Sequence, residues 1–596
     1  MNSTERVRRS RLKARQRGLC ITCCVRKPRQ GLAVCDGCQS TVKQYRRKRR
    51  EEAYRQEEIR QLIAGHERAG DIAEVSRLHK DAAQHYHDAL HAERSPSSSN
   101  GIVSQSVLAA PDRARLCEKL ATALFSTSTP EKAHPWLERA LREYSSDSAH
   151  ADKAIAVLKR MENHRWLECK TDTTPDIIAK AVDIAERAGN KQLVKLTKTL
   201  LAYCLHVVGR YEESDAMLSR IARVTNDDDG PVQLLYYDQR AIKAAFVGER
   251  DRAYSDFERA AHIGVHKVRG YSQTTVWDDY ALAATALGEI DLAKLCHERA
   301  LLVARRYHIH WRTSYLCLRY ADVLARMGQF EPAREYVMDA LSYDIHTPRV
   351  TTLLAAVAIP LAIHLQDDWL LKRCASPRAL DLALRSGETI LAARVATAFA
   401  QWYAKAGEAR EARAVLKQAL RLVRHVYWCW DLALEIARSG SPSDMPQARS
   451  LLDVRSKQSH PEVALACLHL FDAYVAQREQ RLDASQRHAA EAVAAFRAIK
   501  WEAYAAAAHA LLPGTTAYQT KRTENGVVDG MRPMLTIREQ QVADLVLHGL
   551  TNRAIAERLN ISENTVESHM SGIMSRLGVR SRHQLSATLS ESSEEL

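Results

Sequence analysis

Between residues 105 and 512, apolar side chains recur three and four positions apart, in runs long enough for helices and broken by small-residue turns. The turns repeat. They read Gly209-Arg-Tyr211, Gly248-Glu-Arg-Asp-Arg-Ala253, Gly288-Glu-Ile290-Asp-Leu-Ala293, Gly328-Gln-Phe330-Glu-Pro-Ala333 and Gly407-Glu-Ala-Arg-Glu-Ala412. The glycines step by 39, 40, 40 and 79 residues, the last step being two periods with a degenerate turn near Asp368. Each of the last four turns leads into a helix with a larger side chain three residues before an alanine: Phe257 and Ala260, His297 and Ala300, Val337 and Ala340, Leu416 and Ala419. The small residues let paired helices approach, and the large ones fill the gap between repeats. A period of this length predicts stacked helical hairpins, an α-solenoid. Weaker copies at 129–140, 443–452 and 482–492 extend it both ways.

The array resembles a tetratricopeptide-type solenoid with a slightly long repeat, and is similar to the helical sensor region of large LuxR regulators of the maltose-activator style. Such a solenoid has a concave face that can take a protein, a peptide or a small effector. Tyr236, Tyr237, Trp277, Tyr280, Trp311, Tyr315, Trp402, Tyr403, Trp428 and Trp430 are candidates to line it, with burial in the core the plainer expectation for most of them.

A second pattern occupies 535–589, where four short apolar runs at helical spacing are broken by Gly549, Asn560 and Gly578. Thr536 followed by Glu539 is a capping box for the first, which turns Val542, Leu545 and Val546 to one face. The second, from Asn552 to Leu559, places Ile555, Ala556 and Leu559 inward. Ser562 caps the third, which carries Thr565, Val566, His569, Ile573 and Leu577; the fourth begins near Ser581 and carries Leu585 and Leu589. Two short helices joined by a tight turn, the second offering small polar side chains, predict a helix-turn-helix.

This segment resembles the LuxR-type (FixJ/NarL-like) DNA-binding domain. The match rests on Leu535-Thr536-x-Arg538-Glu539, Gly549-Leu550-Thr551-Asn552, Ile555-Ala556-x-x-Leu559, Ser562, Thr565-Val566, His569 and Leu577-Gly578-Val579. The resemblance implies double-stranded DNA as a partner, with the third helix in the major groove. Glu567, Ser568 and Ser571 are then base readers, since a carboxylate accepts from a cytosine amine and serine reads either base type. Arg553, Asn564, Thr565, Arg576 and Arg582 are placed for phosphates, which position the helix without specifying sequence, and His569 belongs to the same DNA-binding set. Pairing through the last helix, at Leu585, Thr588 and Leu589, implies a dimer on DNA. One departure stands out: where the family often has Lys or Arg in the reading turn, this chain has Glu567. Residues 533–590 hold six Arg and no Lys against five acidic residues, so this module alone grips phosphate weakly.

The missing positive charge lies at the other end. Residues 1–50 carry 16 Lys plus Arg against Glu5 and Asp36, and the whole 596-residue chain is also net +14, so the remaining 546 residues balance. Cys20-Ile-Thr-Cys23 and Cys35-Asp-Gly-Cys38 form two CxxC knuckles separated by eleven residues, a spacing that lets four thiolates close around a structural zinc ion. Cys24 could replace Cys23. The module loosely resembles a zinc ribbon with a basic extension, Lys43-Gln-Tyr-Arg-Arg-Lys-Arg-Arg50, suited to a polyanion such as nucleic acid. His79, His85, His87 and His91 on the following helices read as a solvated face rather than a metal site.

The expected organisation is therefore a mainly α chain: 1–50 a basic zinc-ribbon-like module, 51–104 charged helices and a Ser-rich linker, 105–512 the solenoid, 513–532 a linker, and 533–596 the helix-turn-helix. The longest apolar run, 350–365, contains Pro360 and reads as a buried helix rather than a membrane span. The basic, non-apolar first 50 residues do not read as a signal peptide, and scattered single cysteines suit a reducing cytoplasm. No GxxxxGK[ST] phosphate loop, and hence no nucleotide, is expected, and no catalytic constellation stands out. The reading is a sequence-specific transcriptional regulator whose repeats sense an effector, in the cytoplasm on the nucleoid. The alternative is an interaction scaffold that recruits RNA polymerase or another protein, with the zinc ribbon on nucleic acid.

Overall fold

A computed structural model describes residues 3–17, 22, 34–92 (save 77), 107–125, 130–221, 228–423 (save 269, 308, 344 and 346), 429–456, 462–513 and, in the C-terminal module, 542, 545–546, 550–559, 563–577 and 584. Every described element is helical, and no strand occurs among the described residues. The central part is a tetratricopeptide-like α-solenoid in which consecutive helices pack as antiparallel hairpins: Gly230–Phe246 with Arg250–His266, Tyr271–Ala286 with Ile290–Arg306, His310–Arg326 with Phe330–Ser342, and Thr389–Lys405 with Ala409–Leu422.

The repeat turns have one geometry. Gly209, Gly248, Gly288, Gly328 and Gly407 all lie in the left-handed region, at φ between +75° and +83°. There an L side chain crowds its own carbonyl, so glycine closes the helix at least cost. At one such turn the amides of Gly288 and Glu289 reach the carbonyls of Thr285 (3.2 Å) and Ala284 (2.8 Å), satisfying the helix end. The degenerate turn expected near Asp368 is Gln366, at φ +54°, with Asp367 accepting from the amide of Leu370 at 2.9 Å to start the next helix. Cys169, Gln480 and Lys500 hold the same conformation at turns the glycine pattern did not mark. Downstream, all eight residues of the four large–alanine pairs are buried, His297 among them.

The array winds tightly enough to touch itself. Arg349, 2% exposed, donates to the carbonyl of Trp166 (3.2 Å) and to Thr171 Oγ1 (3.1 Å), and pairs with Glu388. The amides of Thr171 and Asp172 both reach the carbonyl of Ser386, at 3.0 and 3.2 Å. Gly387 makes this approach possible, since a Cβ there would lie 2.6 Å from Asp172 Cβ. On the other side, Arg326 pairs with Asp431 (2.8 Å), donates to Tyr504 Oη (3.0 Å) and stacks 4.9 Å over the fully buried Trp501. Helices far apart in sequence thus enclose the concave face.

Residues 51–92 are helical, and one side of them is buried. Asp36–Val75 is one 40-residue helix, and with His79–Ala92 it forms a hairpin whose Ile63, Ala73, Tyr86 and Leu90 share a core with Leu116, Leu120 and Leu137. Tyr86 sits against Gly70, where a Cβ would fall 2.5 Å from its ring, and its hydroxyl donates to Asp71 at 2.7 Å. The charged residues of these helices are themselves engaged: Lys119 bridges Glu67 and Asp71, each at 2.7 Å. The Ser-rich stretch 95–101 lies outside the described residues. Pro348–Leu365 is long and apolar enough to cross a membrane, but most of it is buried in the array, as its internal Pro360 and flanking residues suggested.

Candidate DNA interface and interior cavity

In the C-terminal module the helices Asn552–Leu559 and Glu563–Leu577 pack together over Val542, Val546, Ile555, Ala556, Val566, Met570 and Ile573. Thr551 starts the first of them: its hydroxyl accepts from the amide of Ala554 at 3.3 Å and its carbonyl from that of Ile555 at 2.9 Å. Burying Val566, Met570 and Ile573 leaves the opposite face of the second helix in solvent, with Glu567 and Ser571 exposed one turn apart. Arg553 is exposed and His569 half-buried. Asn564, Thr565, Ser568 and Arg576 lie on this helix by their backbone, but their side chains, like Arg582, Leu585, Thr588 and Leu589 entirely, fall outside the described residues. Met570 is a core residue that the apolar spacing had not singled out.

Of the four cysteines expected on zinc, Cys35 and Cys38 are described: Cys35 is the buried N-cap of Asp36–Val75, and Cys38 is half-buried in its first turn. Cys20 and Cys23 lie outside the described residues. Lys43 and Arg46 to Arg50 follow on the same helix, all exposed. Farther along, His66, His85 and Asp88 bring three ligand atoms within 4.8 Å of one another, one short of a closed tetrahedral set.

The solenoid encloses a cavity of about 690 Å³. That volume suits a small organic ligand. Its wall comes from the first helix of successive hairpins, and it is densely charged. Asp278 receives Arg312 (3.1 Å) and Arg319 (3.2 Å); although burial pushes this carboxyl up, the two guanidiniums hold it below the ordinary carboxylate range. Asp322 likewise overcomes burial through Arg326 (3.2 Å) and Arg394 (2.7 Å), and falls to about 2. His297, 3.9 Å from Asp278, is pushed down to about 3 by burial and is neutral at pH 7.

Asp238 and Asp279 behave in the opposite way. Asp238 Oδ2 accepts from Gln239 at 3.2 Å, but Asp238 Oδ1 and Asp279 Oδ2 meet no donor among the described residues. The two carboxyls face one another closely enough to share a proton. Burial pushes Asp238 up to about 7 and, with Asp238 and Asp278 beside it, Asp279 well above its usual value. Glu162 at the same wall is also pushed up to about 7 by burial, with Lys159 opposing.

Of the aromatic residues expected on the concave face, Tyr315 and Trp430 line the cavity, while Trp277 and Tyr280 are core residues and Trp428 lies outside the described residues. Trp166, which the turn signature did not mark, stacks under Arg349 at the cavity wall. The charged lining escaped sequence reasoning because lone Asp and Arg residues on amphipathic helices look like a solvent face. One signal was available: Asp238 and Asp278 are one 40-residue period apart, on the inner helix of consecutive repeats.

Comparison with known proteins bears on the C-terminal module. Residues 533–588 match the family described as bacterial regulatory proteins, luxR family. The spore germination protein GerE of Bacillus subtilis (strain 168) is 45% identical over 53 residues, which are 9% of this chain and 72% of that protein. The transcriptional regulatory proteins LnrK of Bacillus subtilis (strain 168) and DegU of Brevibacillus brevis are 50% identical over 50 residues and 45% over 51. The chain spans only 23% and 22% of those two. Among solved structures, yeast Tom70 overlays with a TM-score of 0.31 at 12% identity, over 76% of this chain and 96% of that one. The APC/C hetero-tetramer Cut9-Hcn1 gives 0.31 at 13%, over 74% and 95%; both overlaps are too loose to add to the fold described above. By its C-terminal helix-turn-helix, which carries that family's sequence across most of the length of GerE, the chain belongs to the luxR family of bacterial regulatory proteins.

Proposed function

We propose that this protein is a sequence-specific DNA-binding transcriptional regulator whose helical array senses an effector and controls the C-terminal reader. The observation that carries the reading is the exposed face of Glu563–Leu577, where Glu567 and Ser571 stand opposite a compact apolar core. A helix held from behind in this way can enter a major groove without losing its packing. Glu567 accepts from a base amine, and Ser568 and Ser571 take the neighbouring edges. Two copies pair through Leu585, Thr588 and Leu589 on a twofold site. Zinc on Cys20, Cys23, Cys35 and Cys38 fixes the start of Asp36–Val75, whose exposed cationic run supplies the phosphate grip that the nearly neutral reader lacks. The array acts as the switch: an effector that binds one of its states more tightly shifts the population of DNA-competent protein. RNA polymerase is a further partner for its outer surface.

Selection of random duplex DNA by the full-length protein at near-physiological salt tests the reading. Enrichment of a twofold-symmetric motif is expected; uniform recovery of all sequences, with and without added effector candidates, contradicts it.

A further inference from the structure

The guanidinium groups in the cavity invite an anion, but the pairing points to the opposite sign. Arg312 and Arg319 are held by Asp278, Arg326 and Arg394 by Asp322, Arg326 also by Asp431, and Arg349 by Glu388. Each of these cations therefore already has its carboxylate. Lys159, on the same wall, meets no carboxylate within 4.0 Å among the described residues, but burial favours its neutral amine; the other groups without a counter-charge are acidic. Asp238 is 1% exposed with one oxygen lacking a donor, the half-buried Asp279 beside it likewise has one buried oxygen without a donor, and neither has a Lys, Arg or His nitrogen within 4.0 Å among the described residues. Two carboxyls side by side in a low-dielectric wall cannot both ionise unless a cation joins them. A buried polar atom without a partner is a standing cost that a ligand donor relieves.

We propose that this cavity binds an organic cation, its protonated amine held between Asp238 and Asp279 and its apolar body lying along Leu234, Val276, Leu282 and Trp430. The inference rests on the reading of the array as a sensor and gives that sensor a ligand class. A bare divalent ion fits less well. It takes six or more oxygens, whereas the unpaired carboxyls are few, and the roughly 690 Å³ space around them has aliphatic and aromatic walls. An ammonium with three donors matches the orphan oxygens, and a hydrocarbon or aryl body matches the rest of the wall. On binding, the shared proton leaves the carboxyl pair for solvent and both groups ionise around the ammonium, with no covalent bond made or broken.

The test uses the full-length protein, followed by thermal unfolding and calorimetric titration with phenethylamine, agmatine and spermidine. Phenylethanol, phenylacetate and calcium chloride serve as the matched neutral, anionic and inorganic probes. At least one amine is expected to raise the unfolding temperature in a dose-dependent way, while the other three probes do not. Asp238→Asn and Asp279→Asn, each checked for native helix content, are expected to weaken that binding by about tenfold or more, the worth of a hydrogen bond to a charged group. Silence from every amine overturns the site. So does an equal response to phenylethanol or calcium, or amine binding unchanged in both variants. If a variant does not fold, the amine-against-alcohol comparison on the natural protein still decides. An amine that binds but leaves DNA affinity unchanged sinks the sensor reading and keeps the site. Phenylacetate that binds alone and changes DNA affinity does the reverse.

Discussion

The guanidinium of Arg349 lies 4.2 Å from the ring centre of Trp166, 183 residues earlier in the chain, while its Nε donates to the same tryptophan's carbonyl. Stacking, a main-chain hydrogen bond and the Glu388 ion pair meet at one buried side chain, which ties two distant parts of the superhelix together. Trp166, Arg349 and Glu388 all line the cavity.

Arg349→Met should therefore cost roughly 3–5 kcal/mol of stability, the usual result of leaving one member of a buried pair behind. Arg349→Lys keeps the charge but loses the planar stack and the fork of donors, and should fall between the two. Urea unfolding measures both; a destabilisation under about 1 kcal/mol for the methionine variant would mean that this side chain does not hold the array closed.

The turns give a sharper comparison. Gly407→Ala meets open space and pays only for the left-handed backbone, about 1–2 kcal/mol. Gly387→Ala carries that strain and also drives a Cβ into the main chain of Asp172, so it should be the more damaging of the two. Equal midpoint shifts in parallel unfolding curves would contradict the close approach.

How much of this was legible follows from period and distance. The glycine turns and the Phe257–Ala260 type of pair repeat every 40 residues and are local, so the solenoid was readable from sequence. Where Cys169, Gln366, Gln480 or Lys500 takes the left-handed turn, the residue type carries no signal and the repeat fades. The helix-turn-helix was readable because its apolar spacing and its turn residues agree. The cavity was not, since Arg326 meets Asp431 across 105 residues and Arg349 meets Trp166 across 183, and no short window holds both partners of either pair. The packing of the hairpin around Tyr86 onto the following helices was not legible, because Lys119, Glu67 and Asp71, which tie it down, read one by one as solvent charges.

A pH dependence follows from Asp238, whose neighbours are Gln239, Asp278 and Asp279. Its carboxyl is raised to about 7 in the fold, from an ordinary value of 3.8, so the folded state holds its proton more tightly than the unfolded chain. That contribution is fully present below pH 3.8 and is lost as pH rises through about 7. Asp238→Asn keeps a neutral group at every pH. In the absence of ligand, the variant should gain a few degrees of unfolding temperature over the natural protein at pH 8 and less at pH 5. A difference independent of pH would show that Asp238 is ionised throughout.

The basic helix has its own signature. Replacing Arg46, Arg47, Arg49 and Arg50 with Gln should leave the preferred DNA sequence intact and flatten the salt dependence of binding. The slope of log K against log salt should fall by about 0.9 for each phosphate that the helix no longer neutralises. An unchanged slope between 50 and 200 mM salt (the range of roughly 10³-fold effects for such neutralisation) would remove this helix from the DNA.

The most direct measurement is duplex selection by the full-length protein, run side by side with Glu567→Ala and Arg576→Ala. The natural chain should enrich a twofold motif. Glu567→Ala should lose preference at one base position in each half-site, worth about 1–3 kcal/mol, while Arg576→Ala keeps the motif and weakens every sequence alike. Equal losses on all sequences from both changes would contradict base reading by the exposed face of Glu563–Leu577, and with it the central assignment.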